Sequence, residues 1–164
     1  MAQGRVEGIY IAPVGKAPLH RVEQVHAIAG RGLEEDRYFA QKGSFVKGDA
    51  GVAAGQQATL IEREAIEAIE REYDIKLEPG QSRRNIETRG IALNHLVGRD
   101  FRVGEAVLRG MKLCEPCGHL EGLTCKGVRA SLIHRGGLRA QILVDGLIRS
   151  GDRIEVLQAA EIGA

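Results

Sequence analysis

Glycine does most to limit how this chain can fold. Twenty-two of its 164 residues are glycine, and they are scattered so that they punctuate short segments instead of forming a flexible linker. Val6 to Ala12, VEGIYIA, reads as a strand that Pro13 and Gly15 end. Residues 21–29, RVEQVHAIA, are a second strand candidate ahead of the glycine-rich GRGLEEDRYF. Residues 41–56 hold four glycines and few apolar anchors, so they read as a long loop. ATLI, residues 58–61, is a short buried strand, and the clearest helix follows it at 62–73. There Ala65, Ile66, Ile69 and Tyr73 share one face, with Glu and Arg on the other.

The second half repeats the pattern. RRNIET (83–88) predicts a strand and GIALNHLVG a short turn or helical piece. FRVGEAVLRGMKL predicts two strand fragments joined at Val103-Gly104, and GVRASLIHRGG a short helix with a glycine stop. LRAQILVDGLIRSGDRIEVL reads as strand, Asp-Gly hairpin and strand, with Asp152 a turn residue in SGD. Short strands, frequent turns and one good helix predict a single domain over 1–164 of the α+β class, dominated by strands as a twisted, partly closed β-barrel with a few short helices.

Composition removes several functions. A net charge of +1 supplies no field for nucleic acid or an anionic membrane, and 4% aromatic residues with no Trp leave few stacking platforms. No run approaches the roughly 20 apolar residues that span a bilayer. The N-terminus shows neither a long apolar run nor a cleavage-site pattern, so the expected setting is the reducing cytoplasm, with no signal peptide.

All three cysteines fall in KLCEPCGHLEGLTCK, residues 112–126. Cys114 and Cys117 have zinc-ligand spacing, with His119 and Cys125 as further donors, but structural sites usually pair two such knuckles. A structural zinc in a non-catalytic scaffold is therefore the alternative reading. A redox dithiol would open a helix inside a βαβ unit, and the strand-rich sequence downstream lacks that alternation. The third reading is one activated thiol. Proline is well tolerated as the first helical residue, which would put Cys117 second, among unpaired backbone N–H groups that favour a thiolate. Cys125 is expected to be a buried small hydrophobe, and Cys114 is evenly balanced between that and a supporting role.

Three stretches together resemble the MOSC domain family: GRGLEEDRY, RRNIETRGIALNHLVGRDFRVGEAVL running into LCEPCGHL, and HRGGLRAQILVDGLIRSGDRIEVL. The resemblance is closest to small stand-alone bacterial members. It implies a β-barrel fold and maps the family's cysteine, the one after proline, onto Cys117. It further implies sulfur carried on Cys117 as a persulfide delivered by a pyridoxal-phosphate cysteine desulfurase, or a molybdenum cofactor with Cys117 as metal ligand. The cofactor form would be an oxidoreductase needing a reductase partner, and the carrier form a sulfur transferase. No pyridoxal phosphate is expected on this chain, since no lysine stands in a suitable context. The family's Arg-Asn pair matches Arg84 and Asn85, which would bind the anionic part of a ligand. Strand alternation would send Arg83 with Asn85 one way and Arg84 the other; Arg83, equally a residue solvating the loop–strand junction, and His134 of HRGG, equally a surface histidine, are the weaker candidates. Asp36-Arg37 matches a further family segment, but Glu35 replaces its usual Gly and Tyr38 its usual His, so Asp36 is equally a residue bonding turn backbone.

Overall fold

The computed structural model describes residues 3–37, 39 and 54–158. Strands come first: β1 (Gln3–Ile11), β2 (His20–Val22), β3 (Gln24–Ile28) and β4 (Gly32–Leu33). Then β5 (Ala58–Glu62) runs directly into α1 (Arg63–Tyr73), and β6 (Ile86–Arg89) follows. A 3-10 turn at Leu93–Leu96 precedes the hairpin of β7 (Asp100–Val103) and β8 (Ala106–Leu113). Two short helices, α2 (Gly118–Leu123) and α3 (Val128–Ser131), lead to β9 (Leu138–Val144), β10 (Gly146–Arg149) and β11 (Arg153–Val156). The loop expected at 41–56, apart from a 3-10 turn at Ala54–Gln56, lies outside the described residues, as does Tyr38.

Seven strands close into a barrel in the order β11-β7-β8-β9-β5-β6-β1, and β1 returns to β11 with Gln3 opposite Glu155 and Arg5 opposite Arg153. The barrel is thus closed where the sequence suggested only partial closure. Among the described strands only β5 and β6 pair in parallel, which requires the crossover that α1 supplies. A register shift between Val6 and Gly8 bends β1 so that it serves β11, β6 and β2 in turn. A small second sheet, β10-β3-β4, packs beside the barrel.

The main core fills the barrel with inward residues such as Ile9, Leu60, Ile86, Phe101 and Leu108. A second core lies outside it, where Ile61 of β5 meets Ile66 and Ile69 of α1, Leu120 of α2, and Val128 and Leu132 around α3. Leu60 and Ile61 therefore point to opposite faces and are both fully buried, which is why ATLI is a continuous apolar run and not an alternating one.

Three local expectations are corrected. Residues 21–29 form two strands, β2 on β1 and β3 on β10, divided at Glu23. Asp145-Gly146 is not a hairpin, because β9 pairs with β8 and β5 while β10 pairs with β3. It is a corner between sheets: the Asp145 carboxylate accepts the Ala29 N–H at 2.7 Å, and a Cβ on Gly146 would strike the backbone of Glu105. Finally, strand β6 begins at Ile86, so Arg83, Arg84 and Asn85 belong to the loop before it.

Candidate functional site

On the outer face of the barrel, Thr59 of β5 stands opposite Arg139 of β9. Over this pair pass the loop before β6, the segment linking β8 to α2, and Arg37 just after β4. Together they enclose a cleft of about 40 Å³, room for little more than one water molecule. Its wall carries four guanidinium groups, from Arg37, Arg83, Arg84 and Arg139, with Cys114, Cys117 and His119. Among the described residues, Glu115 is the one carboxylate in that lining.

Arg84 is 7% exposed, and each of its nitrogens donates to a backbone carbonyl: Nε to Gly136 (2.8 Å), Nη1 to Ser82 (3.3 Å) and Nη2 to Cys114 (2.9 Å). One side chain thus ties the loop before β6 to the segment after β8 and to the turn before β9, and a buried charge becomes tolerable because its donors are used. Arg83 adopts a left-handed backbone, φ 62°, and donates from Nη1 to the Ala17 carbonyl at 2.7 Å. That geometry ends the strand alternation, so Arg83 and Arg84 both line the cleft. Asn85 lies behind it, fully buried. Its Oδ1 accepts from the Thr59 N–H and hydroxyl, and its Nδ2 donates to the Tyr10 carbonyl, which joins β5 to β1.

The cysteines separate. Cys114 is 1% exposed, its N–H donating to the Gly137 carbonyl at 2.7 Å. Cys117 is half-buried against the second core. It caps α2 in extended geometry (φ −137°, ψ 174°), and the helix begins at Gly118, so Pro116 precedes the helix and Cys117 is not its second residue. Cys125 is exposed, against the expectation of burial. The first cysteine follows a strand and the second caps a helix, unlike a dithiol that opens one helix. Among the described residues, no three His, Cys, Asp or Glu side chains converge as a metal-binding group, which leaves the zinc scaffold without a ligand set.

His134 stands 77% exposed in left-handed backbone, φ 63°, and is not among the residues lining the cleft. It reaches the cleft through Glu115, whose carboxylate accepts the His134 N–H at 2.8 Å and lies 3.0 Å from Nδ1. The glycines after it approach protein and not ligand: a Cβ on Gly136 would meet the Cys114 carbonyl at 2.6 Å, and one on Gly137 the Leu60 carbonyl.

Sequence reasoning did not place Arg37, Thr59, His119 or Arg139 in a ligand-binding cleft; Arg37 and His119 had been weighed only for other roles. Asp36 is buried and bonds the distant Ala12 N–H at 3.1 Å in addition to Arg37 Nη1 at 3.1 Å. Arg37 in turn donates from Nη2 to the Arg83 carbonyl at 3.3 Å. Burial lowers the pKa of His119, and Arg83, Lys16 and Arg37 lower it further by repelling its proton, so the imidazole is neutral at neutral pH. The guanidinium groups that line the cleft give it a positive potential.

A model of the MOSC domain matches residues 47–155. Among solved structures, the YuaD protein from Bacillus subtilis superposes with a TM-score of 0.77 at 19% identity, over 94% of this chain and 95% of that one. YiiM from Geobacillus stearothermophilus gives 0.71 at 14% identity, over 98% and 78%. YiiM from Escherichia coli gives 0.66 at 17%, over 94% and 70%. These likenesses establish the fold. Comparison with curated protein sequences gave no match.

Proposed function

The chain belongs to the MOSC domain family, which is associated with molybdenum-cofactor binding and sulfur chemistry, and from that premise we propose that Cys117 carries sulfur as a persulfide. The observation that carries the reading is the half-buried Cys117 set in a cleft with four guanidinium groups. A persulfide terminus is anionic near neutral pH and one atom longer than a thiolate. It suits a small cleft whose charge is almost wholly positive. Loading from a cysteine desulfurase is thiol–disulfide chemistry. The Cys117 thiolate attacks the outer sulfur of the donor persulfide, a new S–S bond forms on Cys117, and the donor's S–S bond breaks to leave its thiolate. An acceptor nucleophile then takes the outer sulfur and releases Cys117 as a thiolate.

The same donor set suits a molybdenum cofactor: Cys117 would hold the soft metal, and Arg37, Arg83 and Arg139 would hold its anionic part. When bound, such a cofactor supplies oxygen-atom and electron transfer, with a reductase as the natural partner. The cleft volume favours the carrier form of the two. Arg84 and Asn85 then act by positioning, Arg84 on the cysteine segment and Asn85 on Thr59.

The test is mass spectrometry of the chain after incubation with a cysteine desulfurase and free cysteine. The expected result is a gain of one sulfur on Cys117, lost in Cys117→Ser. Sulfur found equally on Cys114 would overturn the assignment.

A further inference from the structure

A second depression adjoins the cysteine cleft. It encloses about 380 Å³, and Arg83 lines both. That volume lies in the range of small-molecule sites, roughly 300–1,000 Å³. Its walls come from three unrelated segments: Pro18 and Leu19 from the loop after β1, Pro79 and Gln81 from the loop before β6, and Leu123 from the end of α2. Two proline rings and two leucine side chains make flat apolar walls. Leu123 is 39% exposed, although its neighbour Leu120 on the same helix is buried, so this apolar surface stands open.

The charges are one-sided. Lys16 and Arg83 line the groove, and among the described residues no carboxylate does. Lys16 has no ion pair among the described residues, and its backbone is left-handed, φ 66°. Its field reaches the cysteine cleft, since it is one of the cations that lower the His119 pKa. Gly80, also left-handed at φ 84°, sits on the floor where a Cβ would meet the Leu19 carbonyl at 3.1 Å, so the loop before β6 closes against the loop after β1 only with glycine there.

We propose that the Lys16–Leu123 groove binds a small organic anion with a flat apolar body, its charge directed to Lys16 and Arg83, and that a thiolate on this molecule takes the outer sulfur of the Cys117 persulfide, a new S–S bond forming on the molecule as the S–S bond to Cys117 breaks and leaves the Cys117 thiolate. Binding stands on the groove alone; the exchange rests on the persulfide reading. Because Arg83 borders both spaces, an anion held there lies beside the cleft that holds the cysteine. Apolar walls supply contact area and the two cations supply orientation.

The probe is 8-anilinonaphthalene-1-sulfonate, titrated by fluorescence against the full chain, with the uncharged N-phenyl-1-naphthylamine as its partner. The sulfonate is expected to bind saturably at one site, equally in Cys117→Ala, and about tenfold more weakly in Lys16→Glu and in Leu123→Glu. Both substitutions are at exposed positions, so folding is not at stake. Sulfonate binding unchanged in the two variants, absence of saturation, or equal affinity for the uncharged dye would each overturn the groove. Desulfurase loading of Cys117, measured beside sulfonate binding in the unsubstituted chain, separates the two ideas. Loading retained without sulfonate binding sinks the groove alone, and binding retained without loading sinks the carrier role alone.

Discussion

Glu87 shows what single residues contribute to this fold. It is 3% exposed on β6; its Oε1 has no hydrogen-bond partner, and its Oε2 lies 3.4 Å from Arg63. Burial raises its carboxyl pKa, and Arg63 and a backbone bond from Gly80 only partly oppose this. A folded-state value above the unfolded one means the folded chain holds the proton more tightly. The associated stability is full below the ordinary carboxylate range and is lost as pH rises through the raised value. Glu87→Gln is therefore expected to stabilise the fold near neutral pH and to lose that gain as pH falls toward 4, read by urea denaturation at the two pH values. None of this was visible in RRNIET, where Glu87 is simply the acidic member of a strand. The same stretch shows the limit for function: the sequence marks Arg84 and Asn85 as special, but not that their side chains are spent on backbone carbonyls and Thr59.

Elements were more legible than their partners. Strand β5, helix α1, the Val103-Gly104 hairpin and the turn at Asp152 follow from local pattern, and the structure has each in place. The Asp-Gly corner was misread because hairpin and corner share one local sequence, and only the distant strands β3 and β8 decide between them. Cys117 falls two helical positions earlier than expected for a related reason: Pro116 is compatible with lying inside or just before a helix. The glycines around this segment allow a direct test. Gly136→Ala forces a Cβ against the Cys114 carbonyl and Pro116 Cδ, at 2.6 and 2.9 Å, and is expected to cost about 1–3 kcal/mol and to slow sulfur loading of Cys117. Gly122→Ala on α2 meets nothing within 4 Å and replaces glycine by a better helix former, so it should gain up to about 1 kcal/mol. Melting curves of the pair separate close approach from glycine's backbone freedom.

Across the whole molecule the formal charge is only +1, yet four arginines face one cleft. A nearly neutral protein with a strongly positive recess should attract anions there and at the groove beside it. Alkylation can measure this with two reagents of different charge. The rate ratio of iodoacetate to iodoacetamide is expected to be several-fold higher at Cys117 than at the exposed Cys125, and to fall toward it as salt shortens the screening length to about 3 Å near 1 M. An equal ratio at low salt would show that the arginines are neutralised by their own partners. Closure of the barrel has a different kind of consequence. Because Gln3 sits across from Glu155, the first strand leaves the ribosome roughly 8–30 seconds before its last neighbour is made. Through that interval the nascent sheet offers an unmatched margin to any other chain nearby.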